Sequence, residues 1–93
     1  MADFPVFQSF PLVYTLELSG GNYYIGWTTD LNRRLYEHFN GAGAKWTKEH
    51  KPIRVVSVSI GDKSLENEQT RKLMELYGPD KVRGGNWCKV SSP

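Results

Sequence analysis

Residues 13–38 read VYTLELSGGNYYIGWTTDLNRRLYEH, and the folding of this stretch decides where the rest of the chain is placed. Apolar and polar residues alternate from Leu12 to Leu18, so Leu12, Tyr14, Leu16 and Leu18 share one face of a strand. Val13, Thr15 and Glu17 share the other. Ser19-Gly20-Gly21-Asn22 is turn chemistry, and Tyr23–Thr28 reads as the aromatic-rich second strand of a hairpin. Loop length then decides which side chains meet. A two-residue loop at Gly20-Gly21 sets Tyr14 opposite Trp27 and sends Tyr24 to the other face. A three-residue loop, Ser19-Gly20-Gly21 with Gly21 in the left-handed region, sets Tyr14 opposite Gly26. Tyr14 and Tyr24 then become diagonal neighbours on one face. A one-residue slip separates the two arrangements. The three-residue loop is the expectation, because it gives Gly26 a purpose as open space beside Tyr14.

The hairpin runs straight into a helix. Thr28-Thr29-Asp30 offers N-cap side chains and Gly41 a stop, which predicts a helix over Leu31–Asn40. Leu31, Leu35 and Phe39 form its apolar stripe. Arg34 and His38 fall within the same arc, one turn apart, whereas Arg33, Tyr36 and Glu37 point elsewhere. A charged residue on an inward face is costly to bury alone. Arg34 and His38 therefore indicate a site rather than a plain core.

Outward from this stretch, residues 1–11 carry Pro5 and Pro11, which oppose a helix or central strand. An extended arm is expected, with Phe4, Phe7 and Phe10 packed on the domain. Residues 41–52 form a glycine-punctuated basic loop with room for one helical turn. Ile53–Ile60 reads as a third strand. Ser64 can cap a helix from Leu65 to about Tyr77, with Leu65, Leu73 and Leu76 as its apolar stripe and Gln69 in the same arc. Glu68 and Lys72 border that arc at i, i+4. Gly78-Pro79 ends the helix, and the tail offers Val82 and Trp87 as a short apolar anchor beside a Gly-Gly corner. The expected architecture is a small α/β (α+β) domain, one unit over 1–93, in which a three-stranded mixed or antiparallel sheet packs against flanking helices. The arm covers 1–11 and the tail 78–93.

Composition narrows the function classes. The chain has 93 residues with 1 Cys, Cys88, so no internal disulfide can form, and 2 His with that Cys cannot build a zinc finger. A reducing, intracellular setting (cytoplasmic or nuclear) is expected. No stretch approaches the roughly 20 apolar residues of a membrane span, and the N-terminus does not read as a secretory signal. A net charge of +2 is too small to argue for nucleic acid by itself. Distribution is more informative. Lys45, Lys48, Lys51 and Arg54, with Trp46 interleaved, look like a phosphate-tracking edge carrying one stacking surface, although a solvated basic loop is an equally common reason for such a run. Lys81 and Arg83 would extend that edge. Cys88 is most simply a small apolar residue.

Taken together, these features resemble the GIY-YIG nuclease family. Tyr24-Ile25-Gly26 matches the second half of the signature, and Val13-Tyr14 the end of the first, with Leu12 in place of its glycine. Arg34 before Leu35, His38 one turn later, the basic loop with its third strand, and Glu68 three residues after Leu65 follow in the family's order. The likeness spans about residues 12–77 and lies nearest the stand-alone and junction-resolving branches.

The resemblance implies metal-dependent hydrolysis of DNA phosphodiesters, with branched or flapped DNA as the expected substrate. Glu68 would hold Mg²⁺ or Mn²⁺, against the plainer alternative of a surface pair with Lys72. Arg34 would bind the phosphate through its planar fork, Tyr14 would orient or deprotonate water, and Tyr24 would hydrogen-bond water or phosphate. His38 would either move protons or hold a catalytic neighbour. Lys72 lies close enough to contact DNA and is assigned no catalysis. The family's asparagine falls to Asp80 or Asn86, and the choice stays open. Specificity would come from a protein partner, a homodimer or DNA shape. A non-cleaving nucleic-acid-binding module of the same fold is the alternative.

Overall fold

The computed structural model describes residues 8–87. Four strands form one mixed sheet: β1 Leu12–Leu18, β2 Asn22–Thr28, β3 Pro52–Ile60 and β4 Val82–Gly84, in the order β3-β1-β2-β4. Three helices flank it, α1 Leu31–Phe39, α2 Lys45–Glu49 and α3 Lys63–Tyr77. The expected α+β class holds, but the sheet has four strands where three were expected. β4 lies parallel to β2. Three residues with one aliphatic side chain carry almost no strand signal, so pairing with β2 rather than propensity creates β4.

The hairpin takes the three-residue loop. Leu18 pairs with Asn22 and Tyr14 with Gly26. Gly20 and Gly21 both adopt positive φ, 75° and 76°, and the buried Asn22 amide locks the turn by donating to the Ser19 carbonyl at 2.8 Å. The alternating faces then collect two half-cores. Tyr14, Leu16, Leu18 and Tyr24 pack with Trp46, Leu31, Leu35 and Val55 on the α1/α2 face. Val13, Ile25 and Val82 pack with Leu65, Leu73 and Met74 under α3.

Helix boundaries follow their caps. Asp30 caps α1 by accepting from the Arg33 N–H, and Gln8 secures the same turn by accepting from the Leu31 N–H at 2.9 Å. α3 starts earlier than expected, because Asp62 and not Ser64 is its cap, accepting from the Ser64 N–H at 3.0 Å. Both apolar stripes are narrower than their sequence pattern. Phe39 is 46% exposed and Leu76 67% exposed, each in the last turn of its helix. Phe10 is likewise exposed; Phe4, Phe7 and Cys88 lie outside the described residues.

Candidate active site

β1 and β2 place Tyr14 and Tyr24 on one face, their ring centroids 6.3 Å apart. α1 brings His38 between them, at 5.6 Å from Tyr14 and 5.1 Å from Tyr24. The Tyr14 hydroxyl lies directly over Gly26, where an added Cβ would overlap it. Any other residue at position 26 would expel the phenol from its position.

Hydrogen bonds fix the protonation pattern of this cluster. Thr47 donates its single hydroxyl proton to the Ala44 carbonyl at 2.7 Å. The Thr47 oxygen must therefore accept from His38 Nδ1, 3.1 Å away. That leaves His38 Nε2 as a lone-pair acceptor, and the Tyr14 hydroxyl donates to it at 2.7 Å. His38 is fully buried, and burial, helped by the nearby Arg34 charge and opposed by Glu37, lowers its pKa to about 4. It is a neutral base near pH 7. Burial also pushes the Tyr14 phenol far above its ordinary value. Tyr24 adds to that effect, the adjacent Arg34 guanidinium pulls against it, and Glu66 adds a smaller upward push.

Arg34 is half-buried at the mouth of the cluster and donates from Nη1 to Glu37 at 2.9 Å. Burial works against its charge, while Glu37, Tyr14 and Tyr24 outweigh that and hold the guanidinium firmly protonated. Glu37, expected to point away, is thus a partner of the site; its i, i+3 spacing from Arg34 was the available signal.

The buried carboxylate of α3 is Glu66, whose charge reaches Tyr14. Glu68 lies on the exposed side of α3, as does Lys72. Glu66 is 8% exposed and accepts from the main-chain N–H groups of Trp27 and Gly85, and burial nevertheless leaves its pKa raised. The reason is helical phase. The inward arc of α3 runs through Glu66, Thr70 and Leu73, because β4 and the tail cover Glu66 and Thr70. Apolar periodicity gives no credit to a buried carboxylate or threonine, so an arc drawn through the leucines falls to one side.

The basic edge also rearranges. Lys45, Lys48 and Lys51 are exposed, and Lys48 and Lys51 line a surface cleft of about 460 Å³ together with His38, Phe39 and Thr47. Trp46 is not a stacking surface. It is 5% exposed, donates to the Tyr23 carbonyl at 3.0 Å, and carries the Arg83 guanidinium 4.7 Å above its ring. Arg83 is itself buried and leaves the proposed edge. Arg54 pairs with Glu17 at 2.7 Å, on the sheet face opposite Tyr14. Asn86 lies in the tail segment that reaches Glu66, its N–H on Asn67 Oδ1 at 2.8 Å. Asp80 sits before β4, in the short turn Pro79–Lys81.

Comparison with known proteins gives the family, and with it a nuclease-type activity. The model of the GIY-YIG catalytic domain matches residues 10–77, and the chain belongs to that endonuclease family. Among its relatives are three UPF0213 proteins. The one from Cupriavidus necator is 52% identical over 44 residues, which are 47% of this chain and 48% of that protein. One from Cupriavidus pinatubonensis is 50% identical over 65 residues, 67% of this chain and 72% of that protein. UPF0213 protein YazA of Bacillus subtilis is 31% identical over 88 residues, 86% of this chain and 89% of that protein. The stretches shared with the first of these, and with two pneumococcal UPF0213 proteins, span about half the relatives' length or less. No solved structure matches the chain significantly.

GIY-YIG nucleases generally depend on a divalent metal. Among the described residues no group of three or more His, Cys, Asp or Glu converges to form a metal cage. A single buried carboxylate, Glu66, fits a cation that keeps most of its positions for water and phosphate oxygens. No helix among the described residues is long and apolar enough to cross a membrane.

Proposed function

We propose that this protein is a divalent-metal-dependent endonuclease that hydrolyses DNA phosphodiester bonds, with Glu66 as the metal ligand. The observation that carries the reading is the opposition of two chemistries across the Gly26-Trp27 peptide. On one side the Tyr14 hydroxyl donates to a neutral His38. On the other, Glu66 is held by the Trp27 and Gly85 N–H groups. A cation on Glu66, Mg²⁺ or Mn²⁺, would neutralise the scissile phosphate and acidify a bound water.

The chain's own residues account for the rest. Water attacks phosphorus, forming one P–O bond as the ester P–O bond opposite it breaks; the departing oxygen takes a proton from solvent water, to which His38 later returns the one it receives. The water proton passes to Tyr14 as Tyr14 passes its own to His38 Nε2, so no free phenolate has to persist in a buried site. The charge this leaves on His38 forms beside phosphate and cannot precede it. Arg34 stabilises the equatorial phosphate oxygens through its fork. Tyr24 orients the attacking water or a phosphate oxygen. Lys45, Lys48 and Lys51 would follow the adjoining backbone, and Lys72 would contact it from α3.

Branched or flapped DNA is the proposed substrate, with a partner protein or a second copy supplying specificity. The test is a cleavage panel of branched, flapped and linear DNA with Mg²⁺ or Mn²⁺. Wild type should cut in a metal-dependent manner and Glu66→Gln should bind without cutting. Binding without any cleavage by wild type would favour a non-cleaving nucleic-acid-binding module.

A further inference from the structure

The family match ends at residue 77, yet the segment after it reaches into the site. β4 pairs Arg83 with Tyr24 and Gly84 with Ile25. Beyond Ile25 the two strands part, and at this fork the N–H groups of Trp27 and Gly85 both meet the Glu66 carboxylate. The corner that presents Gly85 is closed from two sides. A Cβ on Gly84 would run into the Ile25 carbonyl and the Thr70 hydroxyl, and a Cβ on Gly85 would overlap the Asn67 carboxamide. That carboxamide accepts from the Asn86 N–H at 2.8 Å, and Trp87 and Gly84 exchange main-chain bonds at 2.8 and 2.9 Å. Positive φ at both residues, 155° and 54°, restricts the corner further to glycine.

The strand that carries this corner is itself anchored. Arg83 is buried, donates to the Pro79 and Val82 carbonyls at 2.6 and 2.8 Å, and lies over Trp46. β4 is thereby tied to α2, whose Thr47 orients His38.

We propose that Gly85 is a positioning residue for the reaction: the Gly84-Gly85 corner, outside the family-matched region, aims Glu66 through a main-chain hydrogen bond, and Arg83 holds the corner in register. The proposal rests on the reading of Glu66 as the metal ligand. It says that the metal-binding geometry of this chain depends on a tail segment that the family's catalytic core does not include. Loss of such a supporting hydrogen bond typically weakens metal binding about 10–100-fold.

The experiment uses the full chain, labelled with ¹⁵N. The Gly85 amide should be shifted downfield and protected from exchange, and Glu66→Ala should remove both signatures. If they persist, the contact does not exist and the proposal is overturned, whether or not the protein cleaves DNA. In cleavage, Gly85→Ala should raise the Mn²⁺ concentration for half-maximal rate by about 10–100-fold, and Asn67→Ala combined with it should recover part of that loss by making room for the new methyl. An unchanged Mn²⁺ requirement in Gly85→Ala, with only thermal stability lowered, would show a merely structural corner and overturn the proposal. If Glu66→Gln cleaves like wild type, it is the assignment of Glu66 to the metal that fails, and the amide signatures still decide the contact.

Discussion

The Tyr14 hydroxyl stands 2.7 Å from His38 Nε2, and the Thr47 hydroxyl on the far side of the imidazole leaves that nitrogen no role except acceptor. Two residues 24 apart in sequence thus share one hydrogen bond in a buried place. Thr47→Val removes the acceptor for Nδ1–H and frees the ring to invert. Cleavage should fall and its pH profile change shape, while DNA affinity stays unaltered. His38→Ala should lose about 10²–10⁴-fold in kcat, the usual contribution of a positioned acid–base group. A His38→Ala enzyme within a few-fold of wild type would remove His38 from the proton path.

The same burial has a consequence for stability. In the unfolded chain His38 binds a proton below the ordinary histidine value of about 6.5, but in the folded protein only near pH 4. Between these values the unfolded state holds more protons, so stability falls as pH drops through the window. The full effect is about 3 kcal/mol at most. Glu66, whose pKa is raised, contributes in the opposite sense. Denaturant titrations of wild type and His38→Gln between pH 7 and pH 4 isolate the histidine part, and the variant should show a flatter dependence.

Gly26→Ala tests the open space over β2. A methyl there overlaps the Tyr14 hydroxyl, so the phenol must move out of its bond to His38. Overpacking of this kind costs about 1–3 kcal/mol. Activity should fall as far as in Tyr14→Phe even where the fold survives, and a folded Gly26→Ala protein with normal kcat would show that Tyr14 can act from another position.

Trp46→Ala separates core from interface. As a buried ring under Arg83, it should cost about 3–5 kcal/mol in thermal or denaturant unfolding. Were it instead a DNA-stacking residue, affinity would drop with stability unchanged. Lys48→Ala and Lys51→Ala should behave in the reverse manner, each lowering the salt dependence of DNA binding with little effect on stability.

Much of this was legible in the residues. Strand alternation and a glycine-bearing turn gave the register that joins Tyr14 to Gly26, and the helical arc of Leu31 and Leu35 gave Arg34 and His38. The sequence misled wherever burial was polar. Glu66 and Thr70 occupy the inward arc of α3 because main-chain N–H groups satisfy the Glu66 carboxylate and the Thr70 hydroxyl donates to the Glu66 carbonyl. Arg83 is interior because its guanidinium found two carbonyls and an indole face. Hydrophobic periodicity cannot register such residues, and Trp46 in a lysine-rich loop looks the same whether its ring faces solvent or the sheet.

The pairing of Arg34 with Glu37 carries one last implication. Condensed ions sit on the nucleic acid, and a cation that carries its own carboxylate neutralises little phosphate charge, so its transfer to a phosphate would be an exchange of partners. Arg34 should then be nearly silent in equilibrium binding and in its response to salt, and its replacement should register in turnover. The pairing keeps this arginine occupied, and a phosphate that recruits it would have to outcompete Glu37.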